Sequence, residues 1–424
     1  MAIVRNASIL FICTMVGNFS NYSFQFLMGR TLSIEDFGAM NALLSVTMSI
    51  TLPTTAIMFV IARYASTYAV MGETSGVSSL YTKALKRVAA AAVVVTGAFL
   101  LAGPHVAEYL KVGSLTPVTL LAIGIFGAFI MTVNLGMHQG LQRYGYLGAG
   151  LGLGGLLRLI LGAVLVLAGL RLGGAILATV LPAMIIFAIT FVPLSRYLSR
   201  GAAGFRHEDV LRYGVPVAIA TSAFAFLSNV DLILVKHFLT PSEAGIYASV
   251  AVLGKTMLYL PSAFALAVFP MVTESTATGG DSFKILDRAL LCTLLISAAG
   301  LAAFAAAPEF IMGLLFGARF APAAPYLKYY GAAMSALSIM SILISFNMAR
   351  AKNGFTYSLV FTCVLVVGLI YRFHDGILEV MTTILAAFLL LVAFNTVAVY
   401  RDRRVFYRVR NFPVCEPEGP NRDL

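Results

Sequence analysis

The sequence predicts an all-α polytopic membrane protein, with about twelve transmembrane helices in two parallel, pseudo-symmetric six-helix lobes. Three observations support this fold class. Of the 424 residues, 60% are hydrophobic and only 11% are charged, whereas about 25% of the residues in a soluble domain are charged. Apolar stretches long enough to cross a bilayer recur along the whole chain. The second half of the sequence also repeats features of the first.

Each predicted helix is an apolar stretch that covers the hydrocarbon core at about 1.5 Å per residue. The stretches lack the period-two alternation of barrel strands, which excludes a transmembrane barrel. The first stretch looks like a signal peptide, but no small-residue cleavage site follows it, so we expect it to remain a helix. The predicted spans are 8–29, 38–62, 87–103, 116–139, 147–168, 173–195, 211–235, 244–270, 288–306, 326–349, 355–371 and 377–400.

The two halves of the chain align as an internal repeat. Residues 29–45 (GRTLSIEDFGAMNALLS) match residues 236–252 (KHFLTPSEAGIYASVAV). The anchor pairs, offset by 204 to 209 residues, are Gly38 with Gly245, Pro104 with Pro308, and Gly145 with Gly354. Two repeated lobes around a central site are typical of secondary transporters. We therefore predict an N-terminal lobe at 1–203, a C-terminal lobe at 204–400 and a cytoplasmic tail at 401–424.

The basic residues predict the orientation of the chain. The 29 Lys and Arg residues outnumber the 18 acidic residues, and most of them fall in connections on one side of the predicted membrane. The positive-inside rule then places both termini in the cytoplasm, and an even number of helices in each lobe makes the repeats parallel. The net charge of +11 is therefore a topology signal that favours contact with anionic membrane lipids. We predict no nucleic-acid partner.

Motifs for catalysis, metals and cofactors are missing from the sequence. The cysteines show no zinc spacing and no pairing suited to a disulfide, and they are Cys13, Cys292, Cys363 and Cys415. Gly150, Gly152 and Gly155 fit the dinucleotide fingerprint, but they lie within a membrane span with no preceding strand. We interpret these glycines as a site of close helix packing. We predict no catalytic residue, no metal site and no cofactor.

Ionisable residues inside the spans are candidate binding residues, because a charge within the bilayer is costly unless it meets water or a partner. Arg158 and Lys255 lie roughly 18 Å from the inner ends of their helices, and Asp231 lies in the outer part of the seventh span. One interpretation is a wet central cavity. The alternative is a fixed ion pair of Asp231 with Lys255 or Arg158. Arg63, near the inner end of the second span, either joins the cavity or extends to the headgroups.

Polar side chains at helical spacing favour the cavity. One face of the first span carries polar residues, the second and eighth spans carry them beside Pro53 and Pro261, and the fourth span has a pair one turn apart. The alternative is that such groups only bond neighbouring helices. The predicted cavity residues are Arg158, Lys255, Arg63, Asn18, Asn21, Gln25, Asn134, His138 and Tyr259.

Several stretches resemble a known family. GRTLSIEDFGAMNALLSV resembles the stretch that joins the first two helices of bacterial polysaccharide transporters, and QGLQRYGYLG is similar to their sequence after helix four. Asp231 followed by AGIYASVAVLGK resembles their helix seven to eight stretch. Gly29 and Ser33-Ile34 depart from the usual pattern. The family is the oligosaccharide flippase branch of the multidrug/oligosaccharidyl-lipid/polysaccharide exporter superfamily, and its fold has about twelve helices.

The resemblance implies a flippase of the bacterial inner membrane that moves undecaprenyl-pyrophosphate-linked oligosaccharides for lipopolysaccharide or exopolysaccharide biosynthesis. Arg158 and Lys255 would then replace water around the pyrophosphate during alternating access. Asp231 is the candidate for coupling to H⁺ or Na⁺. A polysaccharide polymerase and a chain-length regulator are implied partners.

Three alternatives remain open. A drug/cation antiporter of the same superfamily would share the lobes, but it would favour acidic groups in its cavity. A major-facilitator carrier would carry a basic motif with an Asp between helices two and three, which GETSGVSSLYTKALKR lacks. A membrane polysaccharide polymerase or glycosyltransferase would use an acidic pair, for which Glu35 and Asp36 are candidates. A helix-start role explains those two acids better, since Ser242-Glu243 repeats them.

Overall fold

The protein is described by a computed structural model that covers residues 2–198, 208–278, 280–350, 352 and 354–410. These residues form helices and connections without strands. The helices of the N-terminal lobe are α1 (Ala2–Thr31), α2 (Ile34–Thr51), α3 (Thr54–Val70), α4 (Thr74–Leu101), α5 (Gly103–Tyr109), α6 (Thr116–Gly140), α7 (Tyr144–Gly148), α8 (Gly154–Leu165) and α9 (Arg171–Phe191). Those of the C-terminal lobe are α10 (Glu208–Leu227), α11 (Val230–Phe238), α12 (Pro241–Gly254), α13 (Thr256–Tyr259), α14 (Ser262–Ala277), α15 (Ser282–Ala306), α16 (Pro308–Phe316), α17 (Leu327–Ala349), α18 (Phe355–Arg372) and α19 (Ile377–Arg410).

Each lobe makes six membrane crossings in the described part of the chain. The N-terminal crossings are α1, α2–α3, α4, α6, α7–α8 and α9, and the C-terminal ones are α10–α11, α12–α14, α15, α17, α18 and α19. Nine helical stretches among the described residues are long and apolar enough to span a membrane, and they cover all of these crossings except α1 and α12–α14. The longest, Tyr144–Tyr197, makes two crossings because the backbone turns at Gly169 (φ 91°) and α9 packs back against α8. The predicted all-α, two-lobe membrane fold is confirmed.

The predicted spans match the helices to within a few residues at most of their ends. The span predicted at 116–139 is α6, and the one predicted at 355–371 is α18. The C-terminal end differs, since α19 continues through Arg410 into the region predicted as a tail. Arginine is a good helix former, and cations near a helix C-terminus interact favourably with its dipole. Residues 411–424 and the predicted lobe boundary at 203/204 lie outside the described residues.

The second and eighth crossings are broken at equivalent places in the repeat. Pro53 separates α2 from α3, and Pro261 precedes α14. Proline lacks an N–H group and its ring clashes with the preceding turn, which disfavours a continuous helix there. The break in the C-terminal lobe begins one turn and a half earlier, at Lys255, the C-cap residue of α12. The structure therefore places the deep lysine at a joint in its helix.

The two broken crossings pack together at one end of the molecule only. The repeat-equivalent glycines meet there, since a Cβ added to Gly38 would lie 2.7 Å from the Gly245 nitrogen and one added to Gly245 would lie 2.0 Å from the Ile34 oxygen. Past the breaks, α3 packs against α4, α6 and α10, whereas α14 packs against α13, α15 and α17. We call the end with Gly38 and Gly245 the closed end, and the other the open end.

A second set of glycines joins α1 to the π-helical turn Ala149–Leu153 and to α8. An added Cβ at Gly17 would lie 2.1 Å from the Leu151 oxygen, and one at Gly152 would lie 2.8 Å from the Cys13 oxygen. One at Gly155 would lie 2.7 Å from the Gly17 oxygen. The interpretation of these glycines as a close-packing site is confirmed. The short separation holds α1 against α8. The predicted site residues Asn21 and Gln25 lie on α1, and Arg158 lies on α8.

The glycine contact at the closed end predicts a stability effect. Gly245→Ala forces a methyl group into backbone atoms of the other lobe, and overpacking of this kind costs about 1–3 kcal/mol. Gly97→Ala in α4 is the matched control, because nothing lies within 4 Å of its added Cβ and alanine favours a helix. Thermal unfolding of the detergent-purified protein should show a lower melting temperature for Gly245→Ala only. Equal melting temperatures would contradict the tight contact.

Candidate functional site

Arg158 extends from α8 toward α1. Its Nη1 donates to the Asn21 oxygen at 3.2 Å, and the guanidinium lies over the Phe24 ring, 4.2 Å from the centroid. Nε and Nη2 are buried and have no hydrogen-bond partner among the described residues. The cation–π contact compensates part of the cost of burial, but two donors stay available. Arg158 is therefore a cation with unused hydrogen-bonding capacity.

The polar face of α1 divides between solvent-accessible and buried groups. Asn18 is exposed, and Asn21 binds Arg158. The Gln25 oxygen, one turn further, is buried without a hydrogen-bond partner among the described residues. We refer to Asn21, Gln25 and Arg158 as the N-lobe cluster. Its amide groups and guanidinium can bind a ligand that both accepts and donates hydrogen bonds.

Asp231 is the centre of a buried group in the C-terminal lobe, where it is only 1% exposed. Its Oδ2 accepts hydrogen bonds from the hydroxyl groups of Tyr247, at 2.9 Å, and Tyr330, at 2.7 Å. Its Oδ1 is buried with no hydrogen-bond partner among the described residues. The two rings meet edge to face, with centroids 5.6 Å apart. Helices α11, α12 and α17 thus hold one carboxylate oxygen and leave the other free.

Lys255 lies next to this carboxylate but binds a neutral group. Its half-buried Nζ donates to the Asn229 oxygen at 2.9 Å. The carboxylate of Asp231 is near enough to interact with Lys255 electrostatically, yet the two are not within the 4.0 Å of an ion pair. Arg158 and Asp231 are not paired either. We refer to Asn229, Asp231, Tyr247, Lys255 and Tyr330 as the C-lobe cluster.

The alternative of a fixed ion pair is therefore not what the fold contains. Both charges have hydrogen-bond partners that are neutral, namely tyrosine hydroxyls for the carboxylate and an amide for the ammonium. A buried ion pair has to overcome the desolvation of two charges. Neutral donors and acceptors satisfy each group at its own position. The positive charge of Lys255 consequently keeps a capacity to bind an anion.

Tyr259 lies on the C-terminal lobe and faces the region next to α1. It is 47% exposed on α13, beside the break in the eighth crossing. Its phenol group lies near that of Tyr22, on α1 of the other lobe, and near that of Tyr330. Tyr22 in turn packs near Phe26, with ring centroids 6.2 Å apart. An exposed phenol between the lobes is suited to hydrogen bonding and ring stacking with a bound molecule.

Asn134 and His138 lie inside the N-terminal lobe, and both are 0% exposed. The Asn134 oxygen accepts from Tyr81 at 3.0 Å and its Nδ2 donates to Thr190 at 3.2 Å. The His138 Nε2 bonds the Thr190 carbonyl at 2.9 Å, and its ring stacks on Tyr146. The structure brings these two residues together with α4 and α9, not with the N-lobe cluster. This burial favours the alternative in which they join neighbouring helices.

Arg63 lies on α3, and its side chain is exposed. Within its helix, the Thr67 hydroxyl donates to the Arg63 carbonyl at 3.1 Å. An exposed arginine in the helix that ends at the open end is compatible with either predicted role, in the cavity or at the headgroups.

Sequence reasoning did not find three residues of the C-lobe cluster, and it did not find Tyr22. Tyr247 lies within the repeated AGIYASV stretch, but its period marks it only as a core residue. Asn229 is two residues from Asp231 and therefore not on the same helical face by spacing. Tyr330 and Tyr22 come from distant helices, and no local pattern distinguishes them from the other 16 tyrosines among the 18 of the chain.

Comparisons with known proteins give one family and one fold. The family described as "Polysaccharide biosynthesis protein" matches residues 3–276. No curated protein sequence matches the chain. Solved structures with a similar fold include an inward-facing multidrug resistance MATE family transporter of the MOP superfamily, at 14% identity and a TM-score of 0.74, covering 94% of this chain and 99% of that one.

Two further solved structures share this fold. The lipid II flippase MurJ in an inward closed conformation is 12% identical, with a TM-score of 0.71 over 94% of this chain and 87% of that one. An outward-facing MATE family transporter is 16% identical, with a TM-score of 0.59 over 96% of each chain.

The C-lobe cluster predicts coupled stability effects. Tyr330→Phe leaves a buried carboxylate oxygen with one donor fewer, which should cost about 1–3 kcal/mol. The same change should cost less in an Asp231→Asn background, because the charge that the hydroxyl stabilises is gone. Thermal unfolding of the four proteins in detergent gives the coupling energy. Tyr357→Phe, at an 81% exposed position, is the control. A strictly additive result would contradict the proposed charge-assisted bond.

Proposed function

Because the chain belongs to the polysaccharide biosynthesis protein family, we propose that it is a flippase for lipid-linked oligosaccharides. It moves undecaprenyl-pyrophosphate-linked sugar units across the bacterial inner membrane for the synthesis of a surface polysaccharide. The two lobes alternate access to a site between them. The protein works as a transporter and contributes no catalytic residue to sugar transfer.

The observation that carries this proposal is the incomplete compensation of two deep cations. Arg158 has two buried donors without partners among the described residues, and Lys255 bonds only a neutral amide. A cation in the bilayer core costs several kcal/mol unless an opposite charge or water meets it. A pyrophosphate supplies that charge, and guanidinium and ammonium groups are its preferred ligands. In the complex, the two cations and the pyrophosphate each replace the water that would otherwise surround the other charge.

The orientation of the cavity suits a cargo made in the cytoplasm. The positive-inside rule assigns the open end to the cytoplasm and the closed end to the opposite side. Tyr22 and Tyr259, between the lobes, are suited to bind sugar rings by stacking and hydrogen bonds. The polyprenyl tail stays in lipid, where it needs no protein contact. The joint at Lys255 lets the eighth crossing bend while the charge stays near the pyrophosphate.

We further propose that Asp231 couples transport to an H⁺ or Na⁺ gradient. Its Oδ1 is buried and has no hydrogen-bond partner among the described residues, so it has room in its bonding pattern for a proton or a small cation. Lys255 lies close enough to sense the change of charge. Neutralising Asp231 weakens the attraction on Lys255 and frees the ammonium for the pyrophosphate. A polymerase and a chain-length regulator would act on the flipped product.

The rival functions differ in the charge that the cavity binds. A drug/cation antiporter would use Asp231 to hold a cationic drug. A membrane glycosyltransferase would form a new glycosidic bond. The N-lobe cluster carries no acidic residue, which favours the anionic cargo. The transport assay below separates the three functions, because only the flippase changes the leaflet of an intact lipid-linked sugar.

Transport should depend on the two deep cations. In proteoliposomes with a fluorescent undecaprenyl-pyrophosphate oligosaccharide, Lys255→Ala and Arg158→Ala should each lower the rate of leaflet exchange at least tenfold, since one unpaired charge costs several kcal/mol. Lys255→Arg should retain most of the rate. Arg372→Ala is the control, since its side chain lies over Phe373 in its own lobe. Full exchange by both Ala variants would refute the cationic site.

Coupling should be lost without the Asp231 carboxylate. An imposed H⁺ or Na⁺ gradient should accelerate exchange by the unmodified protein, because ion binding and transport share the C-lobe cluster. Asp231→Asn should exchange at a rate that no longer responds to either gradient. Separate pH and sodium gradients identify the ion. A variant that responds as strongly as the unmodified protein would exclude Asp231 as the coupling site.

A further inference from the structure

Four basic side chains cross between the lobes at the closed end, outside both clusters. Two of them lie at the ends of the first and seventh crossings, Arg30 at the end of α1 and His237 at the end of α11. These two positions are equivalent in the repeat, with the same offset of 207 that relates Gly38 to Gly245. Duplication has therefore placed a basic side chain at the same site in each lobe.

Each of these side chains donates to the last turn of a short helix in the other lobe. Arg30 Nε donates to the Leu315 oxygen at 3.2 Å, and its Nη2 donates to the Leu314 oxygen, both in α16. His237 Nδ1 lies 3.1 Å from the oxygen of Tyr109, the last residue of α5. A carbonyl oxygen only accepts, so Nδ1 carries the proton. The imidazole also stacks on the Tyr109 ring at 3.8 Å.

Bonds in the reverse direction complete both junctions. Arg319 follows α16, and its Nη2 donates to the Gly29 oxygen in the last turn of α1 at 2.5 Å. Lys111 follows α5, and its Nζ donates to the Leu239 oxygen, just past α11, at 3.1 Å. We call Arg30 with Arg319 the arginine latch, and Lys111 with His237 the lysine–histidine latch.

The acceptors in both latches belong to the ends of helices. The last carbonyl groups of a helix have no partner within it and carry a partial negative charge. A cation that donates to such a carbonyl makes a charge-assisted bond, which is stronger than a neutral one. In every case the donor and the acceptor belong to different lobes. When the lobes separate at the closed end, all these bonds must break.

We propose that the two latches hold the closed end shut and set the fraction of empty protein that is open there. This inference rests on the proposed alternating access, which gives the opening its role. The arginine latch contributes more than the lysine–histidine latch, because its two guanidinium groups are always charged and make three bonds. The closed end is thus held by two latches of unequal strength, together with the contact between Gly38 and Gly245.

The latches can be tested by distance measurements on the empty protein. Spin labels at Ser114→Cys and Glu309→Cys, exposed positions at the closed end with one in each lobe, report the separation by double electron–electron resonance. The four native cysteines are replaced by serine. Arg30→Ala with Arg319→Ala should add a population at longer distance, with a shift of about tenfold or more in the open-to-closed ratio. Lys111→Ala with His237→Ala should give a smaller shift.

Matched controls separate a latch from a general loss of structure. Arg372→Ala removes a cation near the same end whose side chain contacts Phe373 in its own lobe, and it should leave the distances unchanged. Arg30→Lys with Arg319→Lys keeps charged donors and should give an intermediate shift. Distances in both latch variants equal to those of Arg372→Ala would overturn the proposal. The measurement uses no cargo, so its outcome is independent of whether the protein flips lipid-linked sugars.

Discussion

Positive charge without a paired anion, deep in a low-dielectric slab, is the constraint on which the candidate site depends. A membrane protein satisfies its buried polar groups internally, because lipid offers no hydrogen bonds. In this chain, Asp231 could have neutralised Lys255, yet two tyrosines and an asparagine bind the two groups separately. The protein thereby keeps both signs of charge available. A negatively charged cargo and a small cation can then use neighbouring positions without first breaking an ion pair.

The internal repeat explains the contacts between the lobes at the closed end. It does not explain the charged residues within the membrane, which differ between the lobes. The closed end is nearly symmetric, with equivalent glycines in contact and equivalent basic residues at the helix ends. The middle is not symmetric. Lys255 and Asp231 lie in the C-terminal lobe, whereas Arg158 lies in the N-terminal lobe and contacts α1. The repeat thus accounts for the matching contacts at the closed end, whereas the charged residues differ between the lobes.

The sequence predicted the fold closely, because lipid imposes long apolar stretches whose length is visible without any tertiary information. The breaks at Pro53 and Pro261 lie at prolines that the sequence shows, but Pro182 lies within the continuous α9, so proline alone did not locate them. The end of α19 was missed, because the charged residues after position 400 show where the chain leaves the lipid, whereas the helix continues beyond that point. The site was only partly predictable. Charge within a span identified Arg158, Asp231 and Lys255, and helical spacing identified Asn21. Neither signal could pair residues from different helices, so Tyr330 was missed. Asn134 and His138 were grouped with these residues, although they bond to α4 and α9.

The contact between Gly38 and Gly245 has an evolutionary consequence. The two residues are one position of the repeat, and they meet next to the axis that relates the lobes. Two half-length chains in a parallel, isologous dimer would bring that position against its own copy in the same way. Fusion of such a pair would preserve the geometry. After fusion, each glycine would still be unable to accept a side chain, because backbone atoms of the other lobe lie against it.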